Sequence, residues 1–130
     1  MLYQLSIQTS TRDQIIDITG QVIELIPDEF SGVVVVYTPH TTCSITINEG
    51  YDPDVARDLL KYLSKLVPQS GDFKHLEWNS DAHIKSSLLG VSQTIIAQNW
   101  KLLLGRWQRI LFVEFDWPRP RQVFVKFIED

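Results

Sequence analysis

The sequence predicts one α+β domain whose strands form a mixed sheet or two packed, sandwich-like sheets, with about three helices. Three observations lead there. At 130 residues the chain can bury one hydrophobic core and is too short for two ordinary domains. Its first half alternates β-type runs with segments of helical spacing, and its second half is mostly short β-rich runs separated by turn signals. No repeat, low-complexity tract or linker divides it, so residues 1–130 read as a single domain.

Tyr3, Leu5, Ile7 and Thr9 alternate with Gln4, Ser6 and Gln8, the period of a half-buried strand. Thr11 followed by Gln14 resembles a capping box, and Ile15, Ile18, Val22 and Ile26 recur at helical spacing up to Pro27, which predicts a first helix weakened near Gly20. The run Gly32 to Thr38 is apolar on both parities, as a strand covered on both faces would be, and it delivers His40 at its end. A strand over Cys43 to Ile47 follows. Asp52-Pro53-Asp54 then supplies a cap, a pre-set first helical residue and an acidic first turn. Val55, Leu59, Tyr62, Leu63 and Leu66 form the apolar stripe of that second helix. A third, short helix is expected to start near Asp81, after the cap-forming Asn79 and Ser80, and to stop at Gly90. Strands are expected over Ser92 to Ala97, Lys101 to Leu104, Arg109 to Phe115 and Gln122 to Ile128.

Apolar residues make up 44% of the chain and charged ones 22%, a globular composition. The formal charge of -4 argues against a broad nucleic-acid surface. Neither a leader pattern nor a run of membrane-spanning length is visible, and a lone cysteine suits a reducing compartment. The expectation is a cytoplasmic protein with no nucleic-acid or membrane partner.

All three histidines fall in two segments rich in reactive side chains: His40-Thr41-Thr42-Cys43-Ser44 and His75-Leu76-Glu77-Trp78-Asn79-Ser80-Asp81-Ala82-His83. Neutral imidazole is a common ligand for zinc and similar metals, and three protein ligands with one open position is how zinc enzymes activate water or substrate. A helix turns about 100° per residue, so one regular helix does not bring His75 and His83 to one ion. A loop carrying His75, a helix carrying His83 and a strand end carrying His40 would let the three converge. Around them, Glu49, Glu77 and Asp81 are candidates for a general base or for orienting a ligating histidine. Cys43 is either a buried thiol or a site residue. Arg119 and Arg121 either solvate loops or bind a phosphate or carboxylate, while Trp78, Trp100, Trp107 and Trp117 either line a pocket or fill a subunit interface.

The stretches His40 to Val55, His75 to Leu89, and Leu103 through Arg106-Trp107-Gln108 to Glu114-Phe115-Asp116 resemble the YjbQ-like family, also called the secondary thiamine-phosphate synthase family. The likeness spans nearly the whole chain. It implies a small α+β subunit assembled as a homotrimer, with the matched histidines in a pocket that can hold a divalent metal, zinc being the first expectation. It also implies a secondary thiamine-phosphate synthase activity, joining a hydroxymethylpyrimidine diphosphate to a thiazole phosphate with departure of pyrophosphate. The sequence departs from the family pattern at Trp78 and Trp117, where glycine is usual, and at Arg106, where a small polar residue is usual.

The resulting expectation is metal-assisted chemistry on a small phosphorylated metabolite. His40, His75 and His83 would hold the metal, Glu49, Glu77 and Asp81 would serve catalysis, and Cys43, Asn79, Lys85, Arg119 and Arg121 would contact substrate. A phosphate-ester hydrolase would use the same set. The competing reading from another class is a non-catalytic trimer that binds a metal or an anionic metabolite.

Overall fold

The computed structural model describes residues 1–130. Its element order is β1 (Leu2–Gln8), β2 (Gln14–Asp17), α1 (Thr19–Ile23), β3 (Gly32–Tyr37), β4 (Cys43–Glu49), α2 (Pro53–Leu66), α3 (Ser80–Leu89), β5 (Ser92–Gln98), β6 (Lys101–Leu102), β7 (Gln108–Glu114) and β8 (Pro120–Glu129). This is the expected α+β domain with three helices. Of the two sheet arrangements expected, two packed sheets are observed, and every ladder in them is antiparallel. One has the order β1-β8-β3-β5-β6 and the other β2-β7-β4.

Alternation on each strand fills the space between the sheets. Val34 and Val36 of β3, Val123, Val125 and Phe127 of β8, and Ile95 and Ala97 of β5 meet Cys43, Ile45, Ile110 and Phe112 from the facing sheet. Phe30 closes one end of this core, its ring packed edge-on against Phe127 with centroids 5.3 Å apart. Leu111 and Val113 point the other way, and Val113 joins Phe115 and Ala82 in a smaller cluster beneath α2 and α3. β7 is therefore buried on both faces.

Two expectations are corrected here. The stretch predicted as one helix from Thr11 to Ile26 begins as strand β2, and only Thr19–Ile23 is helical. Gln14 does reach back to the preceding turn, accepting from the amides of Ser10 and Thr11 at 2.7 and 3.4 Å, but that satisfies a turn rather than a helix start. Ile15 and Ile16 then pair with Val113 and Phe112 of β7, where β-branched side chains fit the ladder and fill both cores. The second correction concerns β3, whose outer face is not covered within the chain. Val33 and Val35 are half-buried and Tyr37 is exposed, beside the exposed Leu2, Ile96 and Ile128 of neighbouring strands.

The long helix forms as its signals require. Asp52 accepts from the Asp54 amide at 2.9 Å, Pro53 occupies the first turn, and the helix stops before Pro68. Its stripe is only partly used: Leu63 packs on the second cluster, joined there by Leu60 from outside the stripe, while Tyr62 and Leu66 stay exposed. No helix is long and apolar enough to cross a membrane.

Gly32 opens β3 at φ 154°, and a Cβ there would lie 2.1 Å from the Ile128 carbonyl oxygen of β8. Gly32→Ala is expected to lower stability by about 1–3 kcal/mol through displacement of this ladder. A shift of the urea midpoint with unchanged m-value is the expected readout, and an unchanged midpoint would contradict this close approach.

Candidate functional site

The strand β3 runs out at the pair Tyr37–Phe124, while β8 continues to Pro120 with that edge no longer paired to β3. The next backbone groups of β8 on that side belong to Gln122, and the β3–β4 loop caps both. Thr38 Oγ1 donates to the Gln122 carbonyl at 2.8 Å, and the Gln122 amide donates to His40 Nε2 at 2.9 Å. His40 is thus pinned at the mouth of a cleft of about 670 Å³ between this loop and α3, lined by Thr38, Thr41, His83, Ser86 and Ser87 among others. His83, Ser86 and Ser87 share one face of α3 because they stand three and four residues apart. His75, from the loop before α3, packs edge-on against His83 with centroids 5.4 Å apart.

The three histidines therefore follow one another along a single edge of the molecule. They do not form a ready metal site, and no three His, Cys, Asp or Glu side chains converge closely enough to share an ion. The donor chemistry suits zinc, but His40 offers it no lone pair. Its Nε2 lone pair is taken by Gln122, which leaves the ring proton on Nδ1. As placed, the residues do not fit the expected three-imidazole metal centre.

Behind the cleft lies a buried ionic network. Glu114 accepts from Arg121 through both carboxylate oxygens, from Thr9 Oγ1 at 2.8 Å, and from the amides of Phe115 and Asp116 at 3.1 and 3.0 Å. Arg121 donates onward to Thr42 Oγ1 at 2.9 Å, two residues past His40 in the chain. Burial, together with the nearby positive charge of Arg121 and then Arg119, holds the His40 imidazole below its ordinary pKa despite the opposing Glu114 charge.

The other expected site residues are dispersed. Cys43 is fully buried in the main core, in phase with Ile45, and its Sγ lies 3.6 Å from Thr38 Oγ1, so it does not face the cleft; burial pushes its pKa up. Asp81 is fully buried and takes Arg12 at 3.0 and 3.1 Å and Lys85 at 3.1 Å. Burial alone would raise its pKa, but hydrogen bonds from Arg12 and Lys85 outweigh it and keep the carboxylate charged. Lys85 is consumed in the same network. Asn79 donates to Asp116 at 2.8 Å, and Arg119, about half exposed, reaches the same carboxylate at 3.4 Å. Glu77 is exposed, 3.7 Å from His75 Nε2. Glu49 sits at the far end of β4 from the His40 loop, accepting from the amides of Tyr51 and Asp52 at 2.9 Å each.

Sequence reasoning missed the lining residues Thr38, Thr41, Ser86 and Ser87, although the helical spacing of Ser86 and Ser87 from His83 was there to be read. It also missed Glu114, whose signal was a charge inside the apolar run Ile110 to Phe115. Trp78 and Trp117 both adopt left-handed backbone, with φ of 60° and 69°. These are the two positions where the family resemblance led one to expect glycine, and the conformation supplies the reason.

Fold and site together define a small two-sheet α+β domain with a histidine- and hydroxyl-lined cleft where strand ends meet a helix. The chain belongs to the UPF0047 YjbQ-like family, whose model matches residues 3–130. It is 52% identical over its whole length to a UPF0047 protein of Methanocaldococcus jannaschii, covering 96% of that protein, and 44% identical to YugU of Bacillus subtilis over 98% of this chain and 99% of that one. Among solved structures, a YjbQ/UPF0047 family protein of Clostridium acetobutylicum superposes with a TM-score of 0.93 at 54% identity, covering 97% of this chain and 99% of that one. A protein from Aeropyrum pernix superposes with a TM-score of 0.95 at 34% identity, over 100% and 99% of the two chains.

Glu114→Gln leaves the Arg121 guanidinium buried without its counter-charge and is expected to cost about 3–5 kcal/mol in urea denaturation, whereas Glu114→Gln combined with Arg121→Met costs much less than the two single changes added. Additive losses would show that the pair is not coupled. For Asp81 the folded pKa is depressed, so its stabilisation is complete above the unfolded value of about 3.9 and is lost as pH falls through the folded value. Urea melts of Asp81→Asn between pH 7 and pH 3 should therefore show lower stability at neutral pH and a flatter acid profile than the parent; parallel profiles would refute this.

Proposed function

We propose that the His40–His83 cleft binds the phosphoryl end of a small metabolite and stabilises a departing diphosphate. The observation that carries this reading is the character of the lining: His40, His83 and the hydroxyl of Thr41 line the cleft, with Arg121 and Arg119 close enough to act on His40, while the hydroxyls of Thr38, Ser86 and Ser87 donate to the carbonyls of Gln122, Cys43 and His83 and hold its walls. No candidate carboxylate is among the lining residues. A reaction limited by leaving-group charge needs oriented donors more than it needs a base. Synthesis of thiamine phosphate is such a reaction. The thiazole nitrogen bonds to the pyrimidine methylene carbon while the carbon–oxygen bond breaks and its electron pair leaves with the diphosphate.

The trimer implied by the family resemblance is part of the proposal. What supports it is the uncovered outer face of β3, where Val33, Val35 and Tyr37 adjoin Leu2, Ile96 and Ile128. A non-catalytic binder of an anionic metabolite is the second reading, favoured by the position of Glu49, Glu77 and Asp81, none of which lines the cleft.

The test is incubation of the trimer, verified by sedimentation at three times the 15.0 kDa chain, with hydroxymethylpyrimidine diphosphate and thiazole phosphate. Thiamine phosphate and pyrophosphate should form together, and His83→Ala should reduce turnover by about 10²-fold or more with its fold intact. Saturable binding without product would select the binder, and absence of binding would overturn both readings.

A further inference from the structure

The donor atoms of His40 carry an inference that rests on this reading of the cleft and deepens it. Beyond the Tyr37–Phe124 pair, the amide of Gln122 has no β3 carbonyl to meet, and the chain supplies a ring nitrogen instead. An N–H facing Nε2 at 2.9 Å requires a lone pair there. Turning the ring over would set a carbon against the amide, so the orientation is fixed as well as the tautomer. Thr38, holding the carbonyl of the same Gln122 at 2.8 Å, keeps the loop in register.

We infer that His40 is a tautomer-locked neutral imidazole that presents an Nδ1–H donor to an anionic phosphoryl oxygen in the cleft, and that this lock excludes it from binding a metal. Nδ1 has no partner within the chain and is not sealed from solvent, and His40 is one of the residues that line the cleft. A metal on Nδ1 would require the remaining ring proton to move to Nε2, setting two N–H groups head-on across 2.9 Å. A metal on Nε2 would have to displace the Gln122 amide from its acceptor within the chain. Both routes work against the backbone. A phosphoryl oxygen, by contrast, accepts from Nδ1–H with the lock intact. The ligand class is thus an oxyanion, taken directly by imidazole rather than through an ion.

The test uses the full chain labelled with ¹⁵N in its imidazole rings, His40 being assigned by loss of its signals in His40→Gln. At neutral pH the His40 pair should show a protonated Nδ1 and an unprotonated Nε2, unchanged by one equivalent of zinc, with Nδ1 moving on addition of inorganic pyrophosphate. Protonation at Nε2, averaging of the two nitrogens, or a zinc-induced shift of the ring would each overturn the inference. His40→Gln can still accept from the Gln122 amide but has no group at the Nδ1 position. It should fold like the parent and bind pyrophosphate about tenfold or more weaker in calorimetry. Equal affinity would overturn the donor role. If the parent chain itself fails to bind pyrophosphate, the reading of the cleft fails and the donor role with it, while the ring shifts still decide the tautomer and the metal exclusion.

Discussion

The buried pair of Glu114 and Arg121 is the constraint on which the two sheets and the cleft depend. Glu114 ends β7 in the three-stranded sheet and Arg121 stands near the start of β8 in the five-stranded one, so their contact is a bond between layers. Removing two such charges from water costs several kcal/mol per ion unless each polar atom finds a partner. Here the carboxylate takes Arg121, Thr9 and two backbone amides, and the guanidinium continues to Thr42. The pair fixes where the strand ends meet more than it adds stability, and the loop holding His40 is suspended between that network and Gln122.

A second buried network performs the same service for α3. Asp81 in its first turn takes Arg12 from the turn before β2 and Lys85 one turn along, with the Lys85 ammonium 5.8 Å over the Phe115 ring. The helix is thereby anchored from its inward face, where Ser86 also donates to the Cys43 carbonyl at 2.7 Å, and His83 and Ser87 are left on the cleft side. The Asn79–Asp116 bond ties the preceding loop to the end of β7, and it is flanked by Trp78 and Trp117. Left-handed backbone at a residue with a Cβ costs roughly 1–2 kcal/mol. That two bulky residues occupy it on either side of one hydrogen bond means the surrounding contacts, including Arg12 stacked 5.9 Å from the Trp117 ring, hold these loops in place.

Much of the fold was legible because local and tertiary preferences agree. Asp52-Pro53-Asp54 caps α2 as its residue types require, and the alternation of β1 and the apolar run of β3 become strands where expected. Legibility failed where one local signal served two structures. A Gln14 side chain turned back on Ser10 and Thr11 can start a helix or tighten a turn, and only the distant pairing with β7 decides for the strand. In the site, histidine positions could be read but not their donor atoms, since the lone pair of His40 is assigned by an amide 82 residues away. Cys43 shows the reverse, its burial following from its phase with Ile45.

The same bookkeeping of partners explains how a chain of net charge -4 presents a cleft suited to anions. Its acidic groups nearest the cleft are not available to it. Asp81, Glu114 and Asp116 are buried and turned toward arginine, lysine or asparagine, while Glu49 and Glu77 stand outside. Each buried carboxylate consumes part of a cation's field but also fixes that cation where a mobile side chain would otherwise sample solvent. What faces the cleft is therefore set by immobilised donors rather than by net charge, and such donors need no reorganisation when a negative oxygen arrives.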